Sequence, residues 1–220
     1  MDIETILITL AIVFGVTIVS MVLHELMHGV TAYLLGDSTA KDSGRLTLNP
    51  IKHIDPFLTV ILPMIMAVTG MPIFGGAKPV PFNPNRVKGA EWGAALVGIV
   101  GPLTNLVLAF ISYLFLLFFH GQLGDSIIKT IFEYSVTVNL GFFAFNILPI
   151  PPLDGSRVLY AVAPNPVQRA MEFIERMGLV IVFAVVLFAS PIISKIIFAI
   201  NFAILSGFDA IGSVLTGFML

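Results

Sequence analysis

In this chain of 220 residues, 57% of the residues are hydrophobic and 11% are charged, against about 25% charged in soluble domains. The net charge of -2 gives no reason to expect nucleic acid as a partner, and the absence of cysteine excludes disulfides and thiolate metal ligands. The composition predicts an all-α polytopic membrane protein, with about five to six transmembrane helices in a single membrane-embedded domain over 1–220.

The first predicted helix runs from Ile3 to Leu35 and ends at Gly36, a residue type that commonly follows a helix. Between Ile3 and Leu23 it contains one charged side chain, Glu4. We expect this helix to cross the membrane and to be retained, because neither a basic segment nor a small-residue cleavage site marks it as a signal peptide.

The first helix carries the motif His24-Glu25-Leu26-Met27-His28. Side chains four residues apart share one helix face, so both imidazoles can reach one zinc ion. Glu25 could accept a proton from water at that ion, as in H-E-x-x-H metalloproteases. A structural His–Glu hydrogen bond is the alternative, but unpaired polar groups are costly in hydrocarbon, which favours a shared metal ion.

Residues 37–89 are predicted to form a re-entrant and β region between the first helix and the next. Residues 44–50 alternate between polar and apolar side chains, which predicts a strand of a small β-hairpin. Residues 57–75 are apolar but contain several prolines and glycines, and we interpret them as a re-entrant hairpin rather than a single crossing. The proline-rich residues 77–84 are not compatible with a helix.

Two long helices are predicted over 90–119 and 127–148. Residues 90–155 are expected to form a helix pair that carries a third metal ligand. The final apolar region, 177–220, is interrupted by Pro191, and the sequence leaves open whether it crosses the membrane once or twice.

The positive charges predict the orientation of the chain in the membrane. Of the 11 Lys and Arg residues, six lie in 41–88 and three in 157–176. If both segments face the cytoplasm, the first helix runs inward. His24 and Asp154 then both lie near the cytoplasmic ends of inward-running helices, where they can meet.

A catalytic zinc ion usually has three protein ligands and one open position. The residues whose chemistry suits the third ligand are Asp37, His53, Asp55, Glu91, Asp154 and Asp209. Asp154 stands out because prolines precede it and Gly155 follows it. The prolines break the helix, and we expect the glycine to free the turn so that the carboxylate can point back into the bundle.

Three motifs in this order resemble the site-2 protease family of intramembrane zinc metalloproteases. They are His24 to His28, Gly101-Pro102-Leu103-Thr104-Asn105, and Asn146 to Gly155. The segments 44–56 and 77–84 also look like the short bacterial and archaeal branch of that family. No PDZ module or CBS domain is apparent, so regulation by an attached sensor is in doubt.

The resemblance implies that His24, His28 and Asp154 bind one zinc ion and that Glu25 is the general base. Asn146 matches a position that holds the substrate backbone or stabilises the oxyanion. The alternative for Asn146 is a hydrogen bond to a backbone group that the prolines leave unpaired. Gly101 and Asn105 are interpreted chiefly as residues that let two helices pack closely. The implied activity is hydrolysis of a peptide bond within or next to a transmembrane segment, with the active site towards the cytoplasmic side of a bacterial or archaeal cell membrane.

The expected partners are a transmembrane protein or peptide substrate and the lipid bilayer, with no nucleic acid and with a homo-oligomer left open. Two other functions remain as alternatives. A zinc or proton transporter would use the same residue types, but it would be expected to place them at several depths rather than at one. A non-catalytic relative that binds membrane helices would be expected to have lost a ligand or the glutamate.

Overall fold

The computed structural model describes residues 2–69 and 76–217, and the regular structure of that part is entirely helical. The α-helices are α1 (Ile3–Leu34), α2 (Thr39–Asp42), α3 (Leu62–Thr69), α4 (Ala90–Leu123), α5 (Ile127–Asn146), α6 (Ser156–Val162), α7 (Asn165–Met177) and α8 (Leu179–Gly217). Short 3₁₀ turns occupy Pro50–Lys52 and Pro84–Arg86, and a π-helix spans Pro56–Ile61.

Helix α1 begins and ends where local chemistry requires it. The Asp2 carboxylate accepts a hydrogen bond from the Thr5 N–H at 2.8 Å and caps the first turn. At the other end Gly36 has φ +106°, a left-handed conformation that glycine adopts without steric cost. The predicted end of the helix is therefore confirmed to within one residue.

Among the described helices, three are long and apolar enough to cross a membrane: Ile3–Leu34, Ala90–Phe119 and Pro191–Gly217. The chain is therefore an integral membrane protein, but the predicted count of five to six crossings is not confirmed. Helix α8 continues through Pro191 without a break, so the last apolar region is one helix in the part of the chain that is described.

The predicted strand at residues 44–50 is wrong, because these residues form bends and the start of a 3₁₀ turn. The Arg45 N–H bonds back to the Ala40 carbonyl at 2.9 Å, and the Asn49 side chain caps the turn by accepting from the Ile51 N–H at 3.1 Å. Alternation of side chains cannot form a strand without a neighbouring strand to pair with. The β-hairpin expected for this region is therefore not confirmed.

The first half of the proposed re-entrant hairpin is helical, from Pro56 through the π-helix into α3, which ends at Thr69. The residues that would lead back, 70–75, lie outside the described part of the chain. Re-entry into the membrane on the same side therefore stays a prediction.

Helix α4 is the centre of the bundle, with both α1 and α5 packed against it. It extends to Leu123, four residues beyond the predicted end, whereas α5 ends at Asn146, two residues before its predicted end. A buried cluster of Ala109, Val136, Leu140 and Phe208 joins α4, α5 and α8. This packing places the C-terminal half of α1 beside the loop that follows α5.

Candidate metal centre

Three side chains from distant parts of the sequence meet between α1 and the loop after α5. The Nε2 atoms of His24 and His28 lie 3.0 Å apart. Asp154 places its Oδ2 atom 3.0 Å from the His24 Nε2 and 3.4 Å from the His28 Nε2. The candidate ligand atoms all lie within 4.8 Å of one another, so the group could hold one metal ion.

The other ring nitrogen of each histidine, Nδ1, is also in a hydrogen bond. The Nδ1 of His28 lies 2.6 Å from the Val97 carbonyl oxygen, and the Nδ1 of His24 lies 2.6 Å from the Asn105 Oδ1. A carbonyl oxygen can only accept, so the His28 Nδ1 carries the hydrogen and its Nε2 presents a lone pair to the centre. Metal-binding histidines are typically held in this way.

The donor set fits zinc. Two imidazole nitrogens and a carboxylate oxygen converge in a largely buried position, and the chain has no thiolate to offer. Lone pairs placed about 3 Å apart repel unless a cation or a shared hydrogen lies between them. Three protein ligands would leave one coordination position for water or substrate, as in catalytic zinc sites.

Asp154 is held in place because the next residue, Gly155, packs closely against the C-terminal end of α5. The Gly155 N–H donates to the Asn146 carbonyl at 2.7 Å, and a Cβ at Gly155 would lie 2.1 Å from the Ile147 carbonyl oxygen. The glycine is therefore required for close approach and not for a special backbone angle, since its φ is -60°.

Gly101 is part of the centre, and its interpretation as a helix-packing residue is incomplete. A Cβ at this position would lie 2.4 Å from the His28 Nε2 and 2.7 Å from the His24 Nε2. Helix α4 can thus approach both imidazoles only because residue 101 has no side chain.

We expect Gly101→Ala to weaken metal binding by about 5- to 150-fold, because overpacking costs about 1–3 kcal/mol and about 1.4 kcal/mol is a tenfold change in affinity. Zinc titration of the detergent-purified protein against a chelator of known affinity measures the change. Gly141→Ala is the matched control, since a Cβ there meets nothing within 4 Å. Equal affinity for the Gly101 variant and wild type would contradict the assignment of this glycine.

Glu25 lies in the same cavity, which has a volume of about 730 Å³. Its Oε2 accepts a hydrogen bond from the Val80 N–H at 2.7 Å. Val80 belongs to residues 76–83, which we call the cover segment. A Cβ at Gly29 would lie 2.9 Å from the Val80 Cγ1, so this glycine lets the cover segment lie close to α1.

Two further side chains hold the cover segment. Arg45 donates from Nη2 to the Lys78 carbonyl at 2.7 Å, and the Asn83 N–H donates to the Asp37 Oδ2 at 2.5 Å. Asp37 also accepts from the Thr39 N–H and hydroxyl. Burial opposes the charge of Asp37, but these hydrogen bonds lower the pKa of its carboxyl below the ordinary value.

We expect Asp37→Asn to lower the Tm at pH 7, because an amide cannot accept hydrogen bonds on both sides as the carboxylate does. Hydrogen bonds to charged groups contribute about 1.5–3 kcal/mol. A carboxyl whose pKa is lowered by folding stabilises the protein above its unfolded pKa of about 3.9, and this stability is lost as pH falls through the folded value. The difference in Tm between wild type and variant should therefore be smaller at pH 3 than at pH 7.

Thermal unfolding in detergent at the two pH values measures this prediction. Asp42→Asn is the control, because Asp42 is exposed and its carboxylate accepts a local hydrogen bond from the Ser38 hydroxyl. A Tm difference for Asp37→Asn that is the same at both pH values would contradict the role of the charge.

The other candidates for the third ligand lie elsewhere. His53 is buried, with its Nε2 2.8 Å from the Thr47 carbonyl oxygen. Asp55 accepts from the Phe57 N–H, and Asp209 accepts from the Tyr113 hydroxyl. In the described part of the chain, the structure brings Asp154 and no other of these candidates to the histidine pair.

Asn146 lines the cavity, and its Nδ2 donates to the Phe142 carbonyl at 3.1 Å. This is a bond within α5 and not to a backbone group freed by the prolines. Its role towards a substrate stays a prediction. Arg157 and Glu175 form an ion pair at the same cavity, between α6 and α7.

Two buried amides support the centre. Asn139 was not predicted from the sequence, and Asn105 was predicted chiefly as a packing residue. Both side chains are almost completely buried, and the Asn105 Nδ2 donates to the Asn139 Oδ1 at 2.8 Å. The signal was present in the sequence, because an amide within an apolar helix is costly unless it has a hydrogen-bonding partner.

The fold and site thus define an integral membrane protein with a candidate single-metal centre between its helices. The family model of peptidase family M50 matches residues 118–189. YwhC of Bacillus subtilis is 40% identical over 186 residues, which are 82% of this chain and 81% of YwhC. The chain belongs to peptidase family M50, the site-2 protease family, and this confirms the resemblance stated above.

Two mycobacterial relatives are more distant. Rip2 of Mycobacterium tuberculosis is 33% identical over 213 residues, covering 91% of this chain and 78% of Rip2. Rip2 of Mycolicibacterium smegmatis is 34% identical over 184 residues, covering 81% of this chain and 66% of Rip2. YwhC and both Rip2 proteins are candidate zinc metalloproteases by name. No solved structure matches the chain.

Proposed function

We propose that this protease is an intramembrane zinc metalloprotease, which hydrolyses a peptide bond within or next to a transmembrane segment of a membrane protein. The observation that carries the proposal is the convergence of the His24 Nε2, the His28 Nε2 and the Asp154 Oδ2 inside an apolar helical bundle. The names of the relatives support zinc as the metal.

His24, His28 and Asp154 would hold one zinc ion per chain. When bound, zinc polarises a carbonyl group and lowers the pKa of a coordinated water to about 7. Glu25 accepts the proton of the attacking water and passes it to the nitrogen of the leaving amine. Asn146 donates a hydrogen bond to the carbonyl oxygen on which negative charge develops.

The cavity also suggests how a substrate enters. It is bordered by α1, the cover segment, the end of α5 and residues of α8 such as Ile193 and Ile197. A peptide bond inside a helix is shielded by that helix's own hydrogen bonds, so the substrate must be locally extended when it reaches Glu25. The N–H of Val80 donates to Glu25 and is positioned to compete with the attacking water for this carboxylate.

We propose that the whole chain, 1–220, forms one membrane domain. Helix α5 runs antiparallel to α4 after a turn of three residues, 124–126, so it returns across the membrane that α4 has crossed. The positive charges of 41–88 and 157–176 support a metal centre that faces the cytoplasmic side of the cell membrane. The cover segment within 37–89 and residues of the helix pair over 90–155 line the cavity together with α1 and α8.

Co-expression with tagged single-span membrane proteins tests the proposed function. Each candidate substrate carries one tag on either side of its transmembrane segment, and fragments are followed by immunoblot. We expect a fragment that ends within or beside the segment in the presence of the wild-type protein but not of Glu25→Gln. Cuts that are confined to soluble domains far from the membrane would contradict intramembrane cleavage.

A further inference from the structure

A chain of buried hydrogen bonds lies behind His24 and ends on the main chain of α5. The Asn139 Nδ2 donates to the Ser135 carbonyl at 2.8 Å, and the Asn105 Nδ2 donates to the Asn139 Oδ1 at 2.8 Å. The Asn105 Oδ1 lies 2.6 Å from the His24 Nδ1. Asn105 and Asn139 are 0% and 1% exposed, so water does not replace these partners.

The Ser135 carbonyl, on which this series of hydrogen bonds ends, fixes the donor and the acceptor of each bond. A backbone carbonyl can only accept, so Asn139 must turn its NH₂ group towards Ser135 and its oxygen towards Asn105. That oxygen also only accepts, so Asn105 must turn its NH₂ group towards Asn139. Its own oxygen then faces the His24 Nδ1, which must carry the hydrogen.

We propose that Asn105 and Asn139 are positioning residues that fix the tautomer of His24. With the hydrogen on Nδ1, the lone pair of Nε2 points at His28 and Asp154. This inference rests on the proposed function, because the tautomer matters only if His24 is a metal ligand. Asn139 acts through two hydrogen bonds and does not touch the reacting atoms.

The two histidines depend on different supports. His28 forms a hydrogen bond to the Val97 carbonyl oxygen, which can only be an acceptor. His24 bonds to an amide that would present either an acceptor or a donor if it were free to turn. Asn139 removes that freedom, so loss of Asn139 should affect His24 and spare His28.

The test uses wild type, Asn139→Leu and the double variant Asn105→Asp/Asn139→Leu, each purified in detergent. In Asn139→Leu the Asn105 amide can turn, and zinc affinity should fall by about 10- to 100-fold, the usual cost of losing an outer-shell partner. A carboxylate at position 105 accepts a hydrogen bond whichever way it is turned. The double variant should therefore recover most of the lost affinity.

Nitrogen-15 NMR of histidine-labelled, zinc-free protein reports which ring nitrogen carries the hydrogen. We expect the Nδ1 of His24 to be protonated in wild type and in the double variant, and only partly protonated in Asn139→Leu. His28 should be unchanged in all three. A packing role for Asn139 would alter the Tm without selecting one ring nitrogen of one histidine.

Ser112→Ala is the matched control. Ser112 is buried and its hydroxyl lies 2.7 Å from the Ser135 hydroxyl, but the orientation of Asn139 is set by the Ser135 carbonyl. Zinc affinity and the His24 signals should therefore stay as in wild type. If Asn139→Leu does not fold, Asn105→Leu takes its place and should show the same loss of affinity.

Three results would overturn the proposal: an unprotonated His24 Nδ1 in wild type, an Asn139→Leu variant with wild-type affinity and tautomer, or a double variant that binds zinc no better than Asn139→Leu. Failure of the proposed function looks different. Wild type would then cleave no membrane substrate, while zinc affinity and the labelled histidine signals would still report on the hydrogen-bond chain.

Discussion

Replacing Glu25 with glutamine should lower the rate of substrate cleavage by about 10²–10⁴-fold, the usual contribution of a general base, while about one zinc ion per chain is retained. A glutamine oxygen can still accept from the Val80 N–H, so the cover segment keeps its attachment to α1. The amide cannot take a proton from water at neutral pH. Initial cleavage rates in proteoliposomes and metal analysis of the same samples measure both halves of the prediction.

Glu133→Gln is a suitable control, since Glu133 is half-exposed on α5 and lies 4.0 Å from Lys129. Cleavage by this variant should match wild type. The same proteoliposomes also separate a protease from a transporter. Zinc flux that persists in Glu25→Gln, without cleavage by wild type, would contradict the proposed function.

The second large effect is expected at the proposed metal ligands. His24→Ala and Asp154→Ala should each lower zinc affinity by more than about 100-fold, because loss of a residue that only supports a ligand already costs about 10–100-fold. Both variants should purify with far less than one zinc ion per chain. Competition with a chromogenic chelator, followed by metal analysis after desalting, gives affinity and stoichiometry.

Asp209→Ala and His53→Gln are the controls for these two variants. Both residues have the chemistry of a zinc ligand, but the structure places them at other hydrogen bonds, to Tyr113 and Thr47. They should retain zinc. Loss of zinc from a control, or its retention in Asp154→Ala, would contradict the assignment of the third ligand.

The parts of the fold that the sequence predicts well are those with a local cause. Helix α1 is a long apolar run with a capping aspartate and a glycine at its end, and its two histidines necessarily share a face. The proline-rich segment before Asp154 also ends α5 within two residues of the expected place. These features depend on neighbours in the sequence, and so a pattern is enough to find them.

The strand predicted at 44–50 shows where such patterns fail. Alternation is compatible with a strand, but the choice depends on a partner that the sequence does not identify. Here Arg45 instead donates to Lys78, and Asn49 caps a 3₁₀ turn. Long-range contacts of this kind decide the conformation of a segment with weak local preference.

The residues that pack against the two histidines, or hold them by hydrogen bonds, could not be predicted for the same reason. Gly101 and Asn105 lie on one face of α4, and only the packing of α4 against α1 shows that they meet His24 and His28. Asn139 is a further step away, on α5. A sequence indicates that a buried amide needs a partner, but not which partner it has.

Zinc K-edge X-ray absorption of wild type and Asp154→Cys tests the central claim most directly, because the natural chain contains no cysteine. Wild type should show nitrogen and oxygen ligands at about 2.0–2.2 Å, including two imidazoles. The variant should add one sulfur at about 2.3 Å. A zinc ion that keeps both imidazoles but shows no sulfur ligand in Asp154→Cys would contradict the claim that residue 154 completes the metal centre.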